Sequence, residues 1–165
     1  INLPRKLGPN PANGKDIVTL YAFKPGTEVG VAAGDVRGLV AAADGIVGDR
    51  RAGKQILNLS EGAVAAACAP AAGDSVAVIG ANRKLLVFPL AELPEMARGR
   101  GVRLQRYHEG VLTDVQVFDK REGMSWVDTG GRRHVEADLK NWTGKRGQAG
   151  RVAPRGFNRN NKFTA

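Results

Sequence analysis

The sequence predicts an all-β chain assembled from repeated units of four short strands, and three observations predict it. Shifting the sequence by 46 residues lays Gly53 on Gly99 and Lys54 on Arg100, and the same shift lays Gly34 on Gly80, Arg37 on Arg83, Leu39 and Val40 on Leu85 and Leu86, and Glu28 on Asp74. Internal periods of about 20 to 50 residues mark propellers, solenoids or arrays. Within each copy, short apolar runs are punctuated by turn residues, as strands require. Each copy also carries, before its last strand, a longer loop that ends in glycine and cations.

The units read in order as strands a to d. The first holds Ile17 to Phe23, Glu28 to Ala33, Gly38 to Ala43 and Gln55 to Leu59; the second Ala63 to Ala69, Ser75 to Ile79, Lys84 to Leu90 and Val102 to Tyr107. A third, more diverged unit holds Asp114 to Phe118, Met124 to Thr129, Arg133 to Leu139 and Arg151 to Phe157. Turns such as KPGT, PAAG and DKREG join a to b, and GDVR, GANR and GGR join b to c, where glycine, aspartate and asparagine take positive φ cheaply. The expected organisation is one domain: 1–15 as the end of a preceding unit and a loop, 16–60, 61–110 and 111–157 as units, and 144–165 as a basic C-terminal segment. Residues Ile1 to Leu3 echo Leu57 to Leu59, so the chain is expected to begin on the last strand of an earlier unit of a longer protein. Two prolines and two glycines between Leu7 and Lys15 forbid a helix there.

The loops between c and d, DRRAGK, ARGRG and TGKRGQAG, set the functional reading. Glycine lets a backbone approach another group closely, and cations suit a polyanion. One such loop is equally a tight turn with solvated charge; three in corresponding places favour a shared binding edge. The candidate contacts are Arg50, Arg51, Lys54, Arg98, Arg100, Arg103, Lys145 and Arg146, followed by Arg151 and Arg155. Arg37, Arg83 and Arg132 recur in the b–c turns and read as structural. Composition agrees: 25 Lys and Arg against 16 acids give a net charge of +9. From Gly144 onward there are six cations and no acid, so this end is expected to add affinity for an anionic partner rather than to hold the sheet together.

Other chemistries find little support. Cys68 is the single cysteine, which excludes an internal disulfide and reads as a buried structural thiol. His108 and His134 belong to no spaced cluster with acids. Gly99 to Leu104 has two glycines of a dinucleotide fingerprint but leucine in place of the third, and a strand follows it. The longest apolar run, Ala63 to Ala72, is too short to cross a bilayer, so a cytoplasmic protein without membrane contact is expected. Only nine residues are aromatic, which leaves Phe23, Phe88, Phe118, Trp126 and Trp142 as large core fillers.

The unit grammar, the glycine-and-cation loops and above all the ending TGKRGQAGRVAPRGFNRNNKF resemble the C-terminal β-pinwheel domain of the A subunit of bacterial topoisomerase IV, with that of the gyrase A protein as the next relative. The resemblance implies propeller-like blades, about three in this chain, whose neighbours exchange strands and whose basic rim binds duplex DNA without reading its sequence. It implies that the domain presents the transported duplex for decatenation or relaxation. It also implies that the domain has no catalytic residue or cofactor of its own, while the whole enzyme uses ATP and magnesium and pairs, through other regions, with a second A subunit plus a B subunit. The family cleaves DNA with a tyrosine flanked by arginine in its N-terminal region; Tyr107 follows Arg106 but ends a strand and is not given that role. Gyrase A carries a box of the form QRRGGKG, and the nearest run here, DRRAGKQ, departs from it at three places, which favours topoisomerase IV. A propeller-type module whose partner is a chromosome-organising protein is the other reading, separable by its weaker salt dependence.

Overall fold

Strand b of the second unit, SVAVIG, contains no charged residue, and the computed structural model, which describes residues 24–47 and 54–164, buries all six of its residues. Ten strands form among the described residues: β1 Glu28–Ala33, β2 Arg37–Ala42, β3 Ala65–Pro70, β4 Ser75–Gly80, β5 Lys84–Pro89, β6 Val102–Arg103, β7 Leu112–Phe118, β8 Met124–Val127, β9 Arg133–Glu136 and β10 Arg151–Val152. The first two units' strands b and c coincide with their expected spans to within a residue or two. The expected strand from Ile17 to Phe23 lies outside the described residues.

Sheet order shows how the units interlock. One sheet runs β3-β1-β2-β6 and the next β10-β5-β4-β7, with β8-β9 as a separate pair. Each complete sheet therefore takes its two central strands from one unit and its two outer strands from the following unit. The reason is visible in β4 and β5. Their alternate residues Val76, Val78, Leu86 and Phe88 join Ala32, Leu104 and Leu112 in one core. The intervening Ala77, Ile79, Leu85 and Val87 join Phe118, Met124, Trp126, Leu139, Phe157 and Phe163 in the other. A sheet buried on both faces needs cover from both neighbours, and its strands read as continuous apolar runs.

Repetition is expressed in hydrogen bonds as well as in residues, and it corrects the register. Gly34 N–H donates to the Val64 carbonyl at 2.8 Å and Ala81 N–H to Val111 at 2.9 Å, while Val36 and Arg83 take the same positive φ, 68° and 60°. Bulges fall at Ala32/Ala33 and at Ile79/Gly80. All of these pairs lie 47 residues apart, so Arg83 corresponds to Val36 and Lys84 to Arg37, one position from the register that the matching glycines and arginines suggest. Doubly buried strands lack the polar alternation that would fix register from sequence.

Strands d are shorter than expected. Gln55 to Leu59 forms only a bridge at Leu57, and the other two units contribute two residues each in β6 and β10. After β6 the chain dives inward: Leu104 and Gln105 are each 1% exposed. The Gln105 side-chain amide donates to the carbonyls of Lys84 and Ala149, and its oxygen accepts from the Tyr107 hydroxyl at 2.6 Å. Cys68 is half-buried on β3, less enclosed than expected.

The C-terminal segment does hold the sheets together, contrary to that part of its expected role. Ala153, Phe157, Asn158, Asn161 and Phe163 are buried, and Phe157 packs against Trp126 and Phe163 at ring-centroid distances of 5.3 and 5.5 Å. Arg83 clasps the segment by donating to the carbonyls of Phe157 and Asn158 and to Asn161 Oδ1, while Phe163 N–H donates to Asp114 at 2.8 Å. Phe157 and Phe163 are too sparse for a core strand and reach the core from turns instead, while Val152 on β10 is exposed. Truncation after Thr143 is therefore expected to cost more than about 3 kcal/mol, the least effect of emptying one buried aromatic position, and to shift Trp126 emission to the red. An unchanged melting temperature and emission spectrum would contradict this placement.

Candidate nucleic-acid interface

The two described basic loops are built alike by the sequence around their glycines. In the first, Gly99 N–H donates to the Ile56 carbonyl at 3.0 Å and its own carbonyl accepts from Asn58 at 2.7 Å. In the second, Gly147 N–H donates to Leu104 at 2.8 Å and the Gln148 carbonyl accepts from Arg106 at 3.1 Å. Each loop then passes a glycine at positive φ, Gly101 at 69° and Gly150 at 75°. A Cβ on Gly101 would stand 2.0 Å from the Gly38 carbonyl oxygen, and one on Gly150 would stand 2.4 Å from that of Leu85. The close approach that these glycines permit is therefore to the chain's own strands β2 and β5. It holds the loop against the sheet and leaves the adjoining cations outside.

Exposure divides the candidate contacts. Lys54, Arg98, Arg100, Arg103, Lys145, Arg151 and Arg155 are exposed. Arg98 donates to Asn58 Oδ1 and Gln55 Oε1, both at 3.2 Å, Arg100 to Ser60 Oγ, and Lys54 Nζ to the Gly45 carbonyl. These neutral partners orient the cations without cancelling their charge. Arg146 differs: half-buried, it donates to the carbonyls of Glu92 and Arg103 at 3.0 and 2.7 Å, and its own N–H goes to the Glu92 carboxylate, so it braces the loop from within. Arg50 and Arg51 lie outside the described residues.

Among the described residues two ion pairs form, and neither takes a cation from these loops. Arg121 pairs with Asp119 at 3.0 Å in an a–b turn, and that hydrogen bond holds the carboxyl below its ordinary pKa. His134 meets Asp128 at 2.7 Å and stacks on Trp126 at 5.2 Å; this contact, with N–H donors from Arg132 and Gly130, holds the Asp128 carboxyl low. The His134 contact carries no sequence signal, because Asp128 is six residues away and meets it only across the β8–β9 turn. The exposed cations of these loops are thus without an ion pair among the described residues, as are Lys24, Arg106, Lys120, Arg132, Arg133, Lys140, Arg159 and Lys162 elsewhere on the surface.

Comparison with known proteins agrees with this architecture. No protein-family model matches the chain. The A subunit of DNA topoisomerase 4 from Caulobacter vibrioides is 45% identical over 148 residues, covering 89% of this chain and 19% of that protein. The chain belongs with the topoisomerase IV A subunits. The same subunit from Rickettsia bellii is 39% identical over 149 residues, 90% of this chain and 20% of that protein, so the chain spans about a fifth of these relatives. Among solved structures, the E. coli ParC C-terminal domain superposes with a TM-score of 0.66 at 23% identity, over 81% of this chain and 58% of that one. The gyrase A C-terminal domain gives 0.59 at 13% identity, over 78% and 44%. These likenesses establish the β-pinwheel fold.

Within this topoisomerase IV domain, Tyr107 is a packing residue. Its ring lies where a Cβ on Gly80 would stand, 2.5 Å from Cζ, and burial pushes the phenol far above its ordinary pKa. No helix among the described residues is long and apolar enough to cross a membrane. The loop geometry makes a direct prediction. Gly101→Ala and Gly150→Ala should each cost more than about 2 kcal/mol, because backbone strain and a backbone clash add together, whereas Gly131→Ala, at φ 77° with open space around it, should cost about 1 to 2 kcal/mol from strain alone. Denaturant midpoints of the three variants check this ordering.

Proposed function

We propose that this chain binds duplex DNA through its backbone phosphates, as the C-terminal domain of a topoisomerase IV A subunit, and presents the transported duplex for decatenation or relaxation. The observation that carries the reading is the set of exposed cations, free of ion pairs among the described residues, on two equivalent loops: Arg98, Arg100 and Arg103 on one, Lys145 and Arg151 on the other. Glycines pressed against their own sheets hold both loops. Arg155 and Lys54 extend the same charge. Arg146 supports the edge from inside.

Phosphate contacts position a duplex without reading its bases. Successive loops along a curved rim would meet successive phosphates and hold the duplex bent, which costs about 1 to 6 kcal/mol for a smooth bend over roughly 20 to 30 base pairs and is offset by the added charge contacts. In the whole protein the partners are then a second A subunit plus a B subunit, acting with ATP and magnesium on DNA in the bacterial nucleoid. Among the described residues no group of three or more histidine, cysteine or acidic side chains is placed to hold a metal ion, and no step assigned to this domain passes through one.

Changing Arg98, Arg100 and Arg103 together to alanine should weaken binding to unrelated duplexes alike. It should also flatten the dependence of log K on log salt by about 2.7, at about 0.9 per phosphate contact. An unchanged slope in a folded variant would place these arginines off the DNA.

A further inference from the structure

Val64 and Val111 are the residues that enter strands β3 and β7 in successive units, 47 positions apart, and they are 68% and 54% exposed. Valines seldom need explanation when they are exposed singly. These two converge. A Cβ on Gly34 would lie 3.8 Å from the Val64 side chain and 4.0 Å from that of Val111, so both flank a position where the sequence supplies no side chain. They stand over a cavity of about 690 Å³ that Val36, Ala66 and Leu112 also line. Its size and largely apolar lining fall within the range of ligand sites.

Charge surrounds this apolar floor unevenly. Arg103, Arg106 and Lys162 are exposed on the cavity's lining. The acids there are the exposed Glu61 and the half-buried Asp35, whose Oδ2 accepts from the Ser60 hydroxyl at 2.5 Å without losing its charge, so the cations exceed the acids by one. Tyr107 and Gln105, fixed to each other and to the Lys84 and Ala149 carbonyls, give one wall a rigid backing.

We infer that this cavity is a docking site for an acidic peptide segment of a partner protein, one whose Leu- or Val-type side chains enter between Val64 and Val111 while its carboxylates meet Arg103, Arg106 and Lys162. The cationic lining selects an acidic occupant. The apolar floor selects one with hydrocarbon side chains, which a phosphate backbone does not have. A second copy of this chain, with a net charge of +9, is electrostatically mismatched to the same rim. The site uses Arg103 in common with the proposed DNA edge, while its valines lie outside that edge.

The test uses two fluorescein-labelled octapeptides, one alternating aspartate with leucine and one alternating aspartate with serine, titrated into the protein and into Val64→Ser/Val111→Ser. The aspartate–leucine peptide should bind the unmodified protein about tenfold more tightly than the aspartate–serine peptide and lose about tenfold with the double variant. Affinity for a 20-base-pair duplex should stay within about twofold, since these substitutions change no charge beside Arg103. If the double variant does not fold, Val64→Ser alone, at the more exposed position, makes the same comparison. Equal binding of the two peptides, undiminished binding by the folded variant, or absence of peptide binding overturns the inference. A parallel loss of duplex affinity overturns it as well, by assigning this face to the DNA path.

Discussion

Burial of β4 and β5 on both faces is the constraint from which the rest of the molecule follows. Neither core closes within one unit: Val76, Val78, Leu86 and Phe88 need Ala32 and Leu104 on one side, while Ala77, Ile79, Leu85 and Val87 need Trp126, Phe157 and Phe163 on the other. Exchange of outer strands satisfies both demands, because a unit that lends β7 and β10 to its predecessor's sheet also brings along the chain segments that cover it. Neighbouring units are therefore coupled through main-chain pairing as well as side-chain packing.

The same exchange shapes the basic edge. A strand that pairs with only the first residues of its neighbour, as β6 does with Arg37 and Gly38, must arrive by a loop that turns sharply against the sheet. Gly101 and Gly150 make that turn possible, and the cations beside them remain outside because the backbone, not the side chain, faces inward. Structural need and charge presentation are thus met by the same few residues. Arg146 shows the division within one loop, with its guanidinium turned to carbonyls while Lys145 stays in solvent.

Much of this is legible in the sequence, and the exceptions have physical causes. The b and c strands are plain because short apolar runs between glycine-rich turns have few other solutions. Their register is offset by one residue from the sequence match because continuous apolar runs carry no facing information, and Gly34 resembles Gly80 in identity but not in place. Charge concentration points to the loops, yet exposure does not follow from it: Arg146 and Arg100 look equivalent in sequence and are not in structure. The acid-free end departs furthest from its expected role. Phe157 and Phe163 are far apart along the chain, and only the turns clasped by Arg83 and Asn158 bring both to Trp126. Arg83 reads as structural from its place in a b–c turn, but neither its φ of 60° nor its reach to Asn158 follows from the sequence.

The central claim, that the glycine-anchored loops form the surface that meets DNA while the strands behind them only support it, is tested most directly by amide hydrogen exchange with and without a 20-base-pair duplex of arbitrary sequence. The account predicts added protection in residues 97–103 and 145–151, with no change in β8 and β9. Protection confined to the β8–β9 hairpin, with both loops exchanging as in the free protein, would contradict it.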